Sequence, residues 1–222
     1  MDHPVLDFAE ARNCMVDSQV RPNKVMDPRI IAAMRRIPRE RFLPPQLAAR
    51  AYVDEDVPLG GGRYLIEPMV IARLAQLTAA AAGERALVVA AGTGYGAALL
   101  AACGARVTAL EDDLSLQAIA HRVLAEVAPS VSLVAGPMTA GWPPAAPYDV
   151  ILIEGAVQEI PQAIGDQLHQ QSGRLVTICA GSARLGQAVL AEATPAGLRT
   201  QPIFDCATPP IPCFTQSPGF VF

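Results

Sequence analysis

The stretch of sequence that most constrains the fold runs from residue 86 to residue 112. Its parts are an apolar run, a glycine turn, an apolar segment and a second apolar run that ends in an acid: 86–89, Gly92-Thr93-Gly94, 97–102, 107–110 and Glu111. This order predicts a strand, a turn, a helix and a second strand. Such units bind nucleotide-like ligands at the strand ends, because glycines let the backbone come close and the acid accepts hydrogen bonds from ribose hydroxyls.

The glycine turn matches a nucleotide-binding motif only in part. A dinucleotide fingerprint has the form G-x-G-x-x-G, whereas this chain has A-x-G-x-G, with Ala90 at the first glycine position. Glu111 follows the turn at close to the spacing of roughly 20 residues that such sites use. An ordinary strand–helix connection followed by a surface acid would give the same pattern, so the turn alone leaves both interpretations open.

Composition limits the classes of partner. The chain has 222 residues, 51% hydrophobic content and a net charge of −4, which favours one domain with a sizeable core and an N-terminal elaboration. The acidic balance argues against nucleic acid as a partner. Neither metal-ligand spacing nor a C-x-x-C pair occurs among His3, His121, His169, Cys14, Cys103, Cys179, Cys206 and Cys213. No apolar run approaches the length of a membrane span, and the start lacks a signal layout, so we expect a cytoplasmic protein without a metal or a membrane partner.

Helix and strand patterns alternate along the chain. Helices are predicted at 8–20, 28–36, from Pro68 onward, 97–102, 114–127 and 160–170, and further strands at 131–134, 148–153, 174–179, 186–193 and 198–204. This order predicts an α/β fold with a mostly parallel seven-stranded sheet and helices on both faces. A tight turn at 194–197 makes the last two strands an antiparallel hairpin. That layout resembles the Rossmann-like fold of class I methyltransferases, whereas a nicotinamide-binding fold would more naturally end with a helix and a parallel strand.

The chain is expected to form one compact unit with two parts. Residues 1–67 are predicted to be an N-terminal helical extension that carries a substrate loop, and residues 68–222 the Rossmann-like domain. Within the first part, three consecutive glycines at 60–62 predict a mobile or tightly turned loop that brings backbone close to a ligand, with a plain linker as the alternative. In the second part, Trp142 between Gly141 and Pro143 is interpreted as a packing anchor.

Five segments carry motifs that together point to one family. They are RRIPRERFLP at 35–44, AYVDEDVPL at 51–59, GTGY at 92–95, GWPPAAPYDVI at 141–151, and EIP, QL and GRLV within 159–176. In this order they resemble the protein-L-isoaspartate O-methyltransferase family. The resemblance implies a class I methyltransferase that uses S-adenosyl-L-methionine and methylates the α-carboxylate of isoaspartyl residues in damaged proteins. A protein or peptide carboxylate is then the expected acceptor.

The resemblance also implies a cofactor site and a simple chemistry. The cofactor residues carried over from the motifs are Ala90, Gly92, Thr93, Gly94, Tyr95, Glu111, Asp112, Gly136 and Pro137. A carboxylate nucleophile is already ionised near neutral pH, so methyl transfer needs little acid–base help. Alignment of the reacting atoms and exclusion of water then supply most of the catalysis.

The chain departs from the family pattern on both sides of the expected site. Ile66 stands where the family has a serine beside the reacting carboxylate, and Glu67 adds a negative charge that Arg63 could offset. Arg63, Tyr64 and Glu67 are therefore predicted to line the acceptor site. In a working methyltransferase we expect Arg21 and Asn23 to lie nearby, and a solvated loop with internal salt bridges is the alternative for all five.

Departures at the cofactor site predict weaker cofactor binding. Val88 and Ala90 replace an acid and a glycine of the family's first strand, and Pro137 replaces an acid after the third strand. Each lost hydrogen bond costs roughly 1–3 kcal/mol. Two alternatives therefore stay open: a non-catalytic relative that acts as a binding module, and an NAD-linked oxidoreductase. The sequence leaves the oligomeric state undetermined.

Overall fold

The computed structural model describes residues 7–181 and 185–215, so His3 lies outside the described residues. Two short strands form a hairpin, β1 (Val57–Gly60) and β2 (Arg63–Leu65). The larger sheet consists of β3 (Arg85–Val89), β4 (Arg106–Glu111), β5 (Ser132–Ala135), β6 (Val150–Val157), β7 (Arg174–Cys179), β8 (Gly186–Thr194) and β9 (Gly197–Cys206). The helices are α1 (Phe8–Met15), α2 (Pro28–Arg36), α3 (Pro68–Leu77), α4 (Tyr95–Ala102), α5 (Leu114–Val127) and α6 (Gln162–Gly165).

The larger sheet has seven strands in the order β5-β4-β3-β6-β7-β8-β9. The first five of these pair in parallel, and β8 and β9 are antiparallel to their neighbours. The predicted class I methyltransferase layout, including its C-terminal hairpin, is therefore confirmed. The chain leaves β3 toward β4 on one side and later returns to β6 on the other, so the strand order reverses beside β3. Ligands of open α/β sheets bind at the carboxyl ends of the strands at such a point.

The sheet is covered unequally on its two faces. Alternate residues of β3 point to opposite sides: Ala86 and Val88 join a large core cluster, and Leu87 and Val89 join a smaller one. Side chains of α1 to α5 belong to the large cluster. The smaller cluster is completed by α6, by the C-terminal segment around Ile211 and by Trp142, whose packing role the sequence predicted. The division of the chain at residue 67 stays a prediction.

Three predicted elements end elsewhere. The helix predicted at 160–170 is only four residues long, because Leu168 pairs with Tyr148 as an isolated bridge and the His169 amide donates to the Tyr148 carbonyl. The strand predicted to end before Glu154 continues to Val157, so Glu154 lies inside β6. The first helix changes from α to π geometry over Val16–Val20.

Three general properties of the described residues bear on function. None of their helices combines the length and the apolar character that a membrane crossing needs. Among residues 7–181 and 185–215, no cluster of three or more histidine, cysteine or acidic side chains is arranged to hold a metal ion. All five cysteines are free thiols.

Candidate functional site

The turn after β3 has an unusual backbone. Ala90, Gly92 and Gly94 all have positive φ angles, of 56°, 57° and 94°. Glycine adopts this region without penalty, whereas an alanine there is strained by roughly 1–2 kcal/mol. The turn leads directly into α4, whose first residues follow Gly94. It therefore places backbone groups tightly against the carboxyl end of β4, where the sequence predicted a cofactor site.

Glu111 ends β4 and is completely buried. One of its oxygens, Oε2, accepts a hydrogen bond of 2.7 Å from the Gly92 amide of the turn. The other, Oε1, accepts from the amides of Asp112 and Asp113 at 3.0 and 3.1 Å. The acid that the sequence identified is thus held rigidly at the point where the strand order reverses.

Arg63 reaches the same carboxylate from the hairpin. Its Nη1 lies 2.7 Å from Glu111 Oε1, and its Nη2 lies 2.9 Å from Glu111 Oε2, which is the paired geometry that a guanidinium makes with a carboxylate. Nη2 also donates to the Ala90 carbonyl at 2.8 Å, and Nη1 contacts the sulfur of Met138 at 3.5 Å. Arg63 is only 7% exposed. Arg63, which was predicted to line the acceptor site, therefore forms an ion pair in this conformation with Glu111, the predicted cofactor acid.

The hairpin and the C-terminal segment close the crevice above this ion pair. Gly60, Gly61 and Gly62 all have positive φ, so the triple-glycine stretch is a tight turn between β1 and β2. A Cβ on Gly62 would lie 2.6 Å from Pro212 Cγ, so the turn packs directly against the C-terminal segment. That segment is tied to β6 by a 2.8 Å hydrogen bond from the Ile211 amide to the Ala156 carbonyl. A cleft of about 10 Å³ remains, which is room for a single water.

Glu154 lines this cleft together with Arg63, Tyr64 and Ile66. It is 7% exposed, and burial raises its pKa to about 8, although the Gly96 backbone, Arg63 and Arg39 act in the opposite direction. Within the described residues, its Oε2 has no hydrogen-bond partner. The sequence analysis predicted a strand at 148–153 but did not place Glu154, the next residue, in the site. The available signal was an acid directly after the apolar run 150–153.

A second buried arginine supports the loop below the cleft. Arg39 is fully buried and donates to the Ala51 carbonyl at 2.7 Å and to the Ile66 carbonyl at 2.5 Å. Its guanidinium carbon lies 4.8 Å from the centre of the Tyr95 ring, and burial lowers its pKa. Tyr95 also packs edge-on against Phe42, with ring centres 5.2 Å apart. Arg39 thus fixes the backbone at Ile66, a role that the sequence did not reveal.

The other predicted acceptor residues are dispersed. Tyr64 is half-buried at the cleft, next to Arg63. Glu67 precedes α3, is half-buried, and has its pKa raised first by burial and then by two neighbouring acids. Arg21 forms an ion pair with Asp17, with both side chains largely exposed, and Asn23 donates to a backbone carbonyl within the same helical segment. Their contacts are local to the N-terminal helices.

The remaining predicted cofactor residues surround the turn and the end of β5. Thr93 is buried, whereas Asp112 is exposed; partial desolvation of the Asp112 carboxyl and the neighbouring Glu111 raise its pKa. A Cβ on Gly136 would lie 3.2 Å from the Trp142 ring, so the ring packs directly against the Gly136 backbone. Pro137 precedes the short turn that carries Met138 to Arg63. The turn, Glu111 and the end of β5 thus meet at one edge, while Tyr95 lies in the core.

Comparisons with known proteins agree with this architecture. The family model for protein-L-isoaspartate (D-aspartate) O-methyltransferase matches residues 10–191. A protein-L-isoaspartate O-methyltransferase of Methylorubrum extorquens strain PA1 is 43% identical over 173 residues, which are 78% of this chain and 75% of that protein. Another, from Methanoregula boonei, is 38% identical over 176 residues, covering 79% of this chain and 81% of that protein.

Solved structures are similar over nearly the whole chain. A protein-L-isoaspartate O-methyltransferase structure is 25% identical with a TM-score of 0.75, and the match covers 91% of this chain and 65% of that one. A structure from Plasmodium falciparum, solved with S-adenosyl-L-homocysteine, has a TM-score of 0.74 at 16% identity and shares the fold, over 90% of this chain and 97% of that one. Nothing in these similarities favours an inactive relative. The chain belongs to the protein-L-isoaspartate (D-aspartate) O-methyltransferase family.

Proposed function

We propose that this chain transfers a methyl group from S-adenosyl-L-methionine to the carboxylate of an isoaspartyl residue in a protein or peptide. The family is dependent on S-adenosyl-L-methionine. The observation that carries the proposal is Glu111, a buried acid at the end of β4 that is bonded to the Gly92 amide where the strand order reverses. An acid in this position accepts hydrogen bonds from ribose hydroxyls in nucleotide-binding sheets.

The residues around Glu111 supply the types of hydrogen-bonding group that such a cofactor needs. The turn at 90–94 offers backbone groups, and Glu111 offers an acceptor pair close to them. Arg63 occupies that acceptor pair in the present conformation, so its guanidinium has to leave before ribose hydroxyls can bind. The fit therefore requires an exchange of partners at Glu111 but no change in the sheet.

The chemistry places few demands on the protein. The cofactor supplies a methyl group on a positively charged sulfur, and the acceptor carboxylate is ionised at neutral pH. The residues predicted to line the acceptor site, Arg63, Tyr64 and Glu67, then have to hold the acceptor in line and keep water away. The hairpin and the C-terminal segment suit the second task, because in the present conformation they leave only about 10 Å³ of open volume, and they have to move apart to admit the acceptor.

We further propose that the acceptors are damaged proteins in the cytoplasm. Five free thiols among the described residues suit a reducing compartment. The net charge of −4 argues against nucleic acid as a partner.

The test is methyl transfer from radiolabelled S-adenosyl-L-methionine to two peptides that differ only in one residue, isoaspartyl or aspartyl. We expect a base-labile methyl ester on the isoaspartyl peptide alone. Glu111→Ala should abolish it, while Glu84→Ala, which removes a glutamate that also pairs with an arginine but at the opposite edge of the sheet, should retain it. Absence of ester on both peptides, together with silent calorimetry for the cofactor at millimolar concentration, would overturn the proposal. Cofactor binding without transfer to either peptide would point to a different acceptor.

A further inference from the structure

Arg63 is the only basic side chain within the described residues that donates hydrogen bonds to Glu111. A carboxylate has roughly four lone-pair sites, and the two oxygens of Glu111 already receive two bonds from Arg63 and three from backbone amides. No capacity is left for ribose hydroxyls while Arg63 is bound. The three amides are fixed by the turn and by the end of β4, so Arg63 is the partner that can leave.

We propose that Arg63 exchanges between two carboxylates: it is displaced from Glu111 when the cofactor binds, and its freed guanidinium then binds the carboxylate of the methyl acceptor. Cofactor binding would thus create the acceptor site. This inference rests on the proposed function and adds an order to it, with the cofactor first and the acceptor second.

The position of Arg63 in the fold allows this exchange. It opens β2 of a two-stranded hairpin that, over the described residues, shares no strand pairing with the seven-stranded sheet. An isolated two-stranded hairpin is marginally stable by itself. The turn next to Arg63 is three glycines, all in the left-handed region. The ion pair is also easy to replace energetically, because desolvation of two buried charges cancels much of their attraction.

The destination of the guanidinium is the adjacent cleft. Arg63 lines that cleft together with Tyr64, Ile66 and Glu154. Ile66 stands where the family has a serine, so the backbone position that normally carries a hydroxyl beside the acceptor offers no side-chain donor. A guanidinium matches a carboxylate with two parallel hydrogen bonds. Arg39, the other arginine nearby, is fully buried and held by two backbone carbonyls, so Arg63 is the arginine positioned to serve.

The first experiment measures binding to the unaltered protein. A fluorescent isoaspartyl peptide is titrated with the full chain, with and without saturating S-adenosyl-L-homocysteine. We expect the peptide to bind at least about tenfold more tightly when S-adenosyl-L-homocysteine is present, because only then is Arg63 released. Equal affinity in both titrations would overturn the exchange and leave the proposed function intact. A chain that binds no S-adenosyl-L-homocysteine at all would overturn both.

The second experiment uses Arg63→Gln, with Arg174→Gln as the matched control for loss of an arginine that pairs with a glutamate. For Arg63→Gln we expect calorimetry to show S-adenosyl-L-homocysteine binding about tenfold more tightly, because no ion pair has to break, and the KM for the isoaspartyl peptide to rise about tenfold. Arg174→Gln should change neither. A purely structural role for Arg63 would weaken both affinities together, and that result would contradict the inference.

Discussion

Two arginine–glutamate pairs lie at opposite edges of the seven-stranded sheet. At the amino edge, Arg174, the first residue of β7, bonds Glu84 at 2.7 and 3.1 Å. At the carboxyl edge, Arg63 bonds Glu111 at 2.7 and 2.9 Å. The side chains of the first pair are 19% and 26% exposed, and those of the second are 7% and 0% exposed. Nearly the same pairing geometry therefore occurs in two different environments.

The partners around each pair explain the difference. Arg174 also donates to the carbonyls of Thr78 and Ala79 at the end of α3, so it ties a helix end to the sheet. Glu111 instead receives amides from the turn at the reversal of strand order, which is where sheets of this type bind ligands. The comparison indicates that the amino-edge pair is structural and that the carboxyl-edge pair occupies a functional position.

The largest difference should appear when each glutamate is removed. Glu111→Ala leaves a buried arginine and three amides without their acceptor, and we expect it to lower the free energy of unfolding by about 3–5 kcal/mol. Glu84→Ala breaks a partly exposed pair and should cost about 1 kcal/mol or less. Urea denaturation of both variants measures this. Equal losses would remove the distinction between the two edges.

The two edges should also respond oppositely to pH. Burial raises the pKa of Glu154 in the folded protein to about 8, whereas in the unfolded chain it has the ordinary value of 4.5. As pH rises between these values the carboxyl is ionised in the unfolded chain but still protonated in the folded protein, so the free energy of unfolding falls. Glu154→Gln lacks this loss, and its advantage over the unaltered chain should grow from pH 4 to pH 8, to at most on the order of 4 kcal/mol.

Glu84 provides the opposite sign. Its hydrogen bonds to Arg174 hold its pKa below the ordinary value, so its contribution to stability is present at neutral pH and is lost in acid. Glu84→Gln should therefore melt below the unaltered chain at pH 7 and together with it in acid below the lowered pKa. Melting temperatures measured from acid below the lowered pKa of Glu84 up to pH 8 compare the two variants, with a shift of roughly 2–4 °C for each kcal/mol. A Glu154→Gln advantage that is the same at pH 4 and pH 8 would show that Glu154 does not titrate as a buried acid.

The smallest difference in the free energy of unfolding should come from substitutions in the glycine turn that packs against the C-terminal segment. Gly60→Ala and Gly62→Ala both place an alanine at positive φ, at 99° and 73°. Only the second adds a clash, because its Cβ would lie 2.6 Å from Pro212 Cγ, whereas nothing lies within 4 Å of the first among the described residues. We expect Gly62→Ala to cost about 1 kcal/mol more in urea denaturation than Gly60→Ala and to make the C-terminal segment more sensitive to proteolysis. The same sensitivity in both variants would mean that the turn does not hold that segment.

Much of the fold was predictable because it follows from local patterns. The apolar runs, the proline and glycine positions and the acid after β4 are each visible within a few residues, and they predicted the sheet, its hairpin and Glu111. The helix at 160–170 was predicted too long because Leu168 and His169 pair with Tyr148, which lies about 20 residues away in sequence. A local pattern carries no information about such a partner.

The sequence by itself determined the family, the succession of helices and strands along the chain and the place of the acid at the carboxyl edge. It also placed Arg63 near the site, through the resemblance of its loop. Only the tertiary structure decided that Arg63 bonds Glu111. The two residues share no sequence motif and lie 48 residues apart. Only the fold buries Glu154 with an oxygen that has no partner within the described residues. The physical reason is that periodicity and turn chemistry act over a few residues, whereas the partner of a long charged side chain is set by which distant elements pack around it.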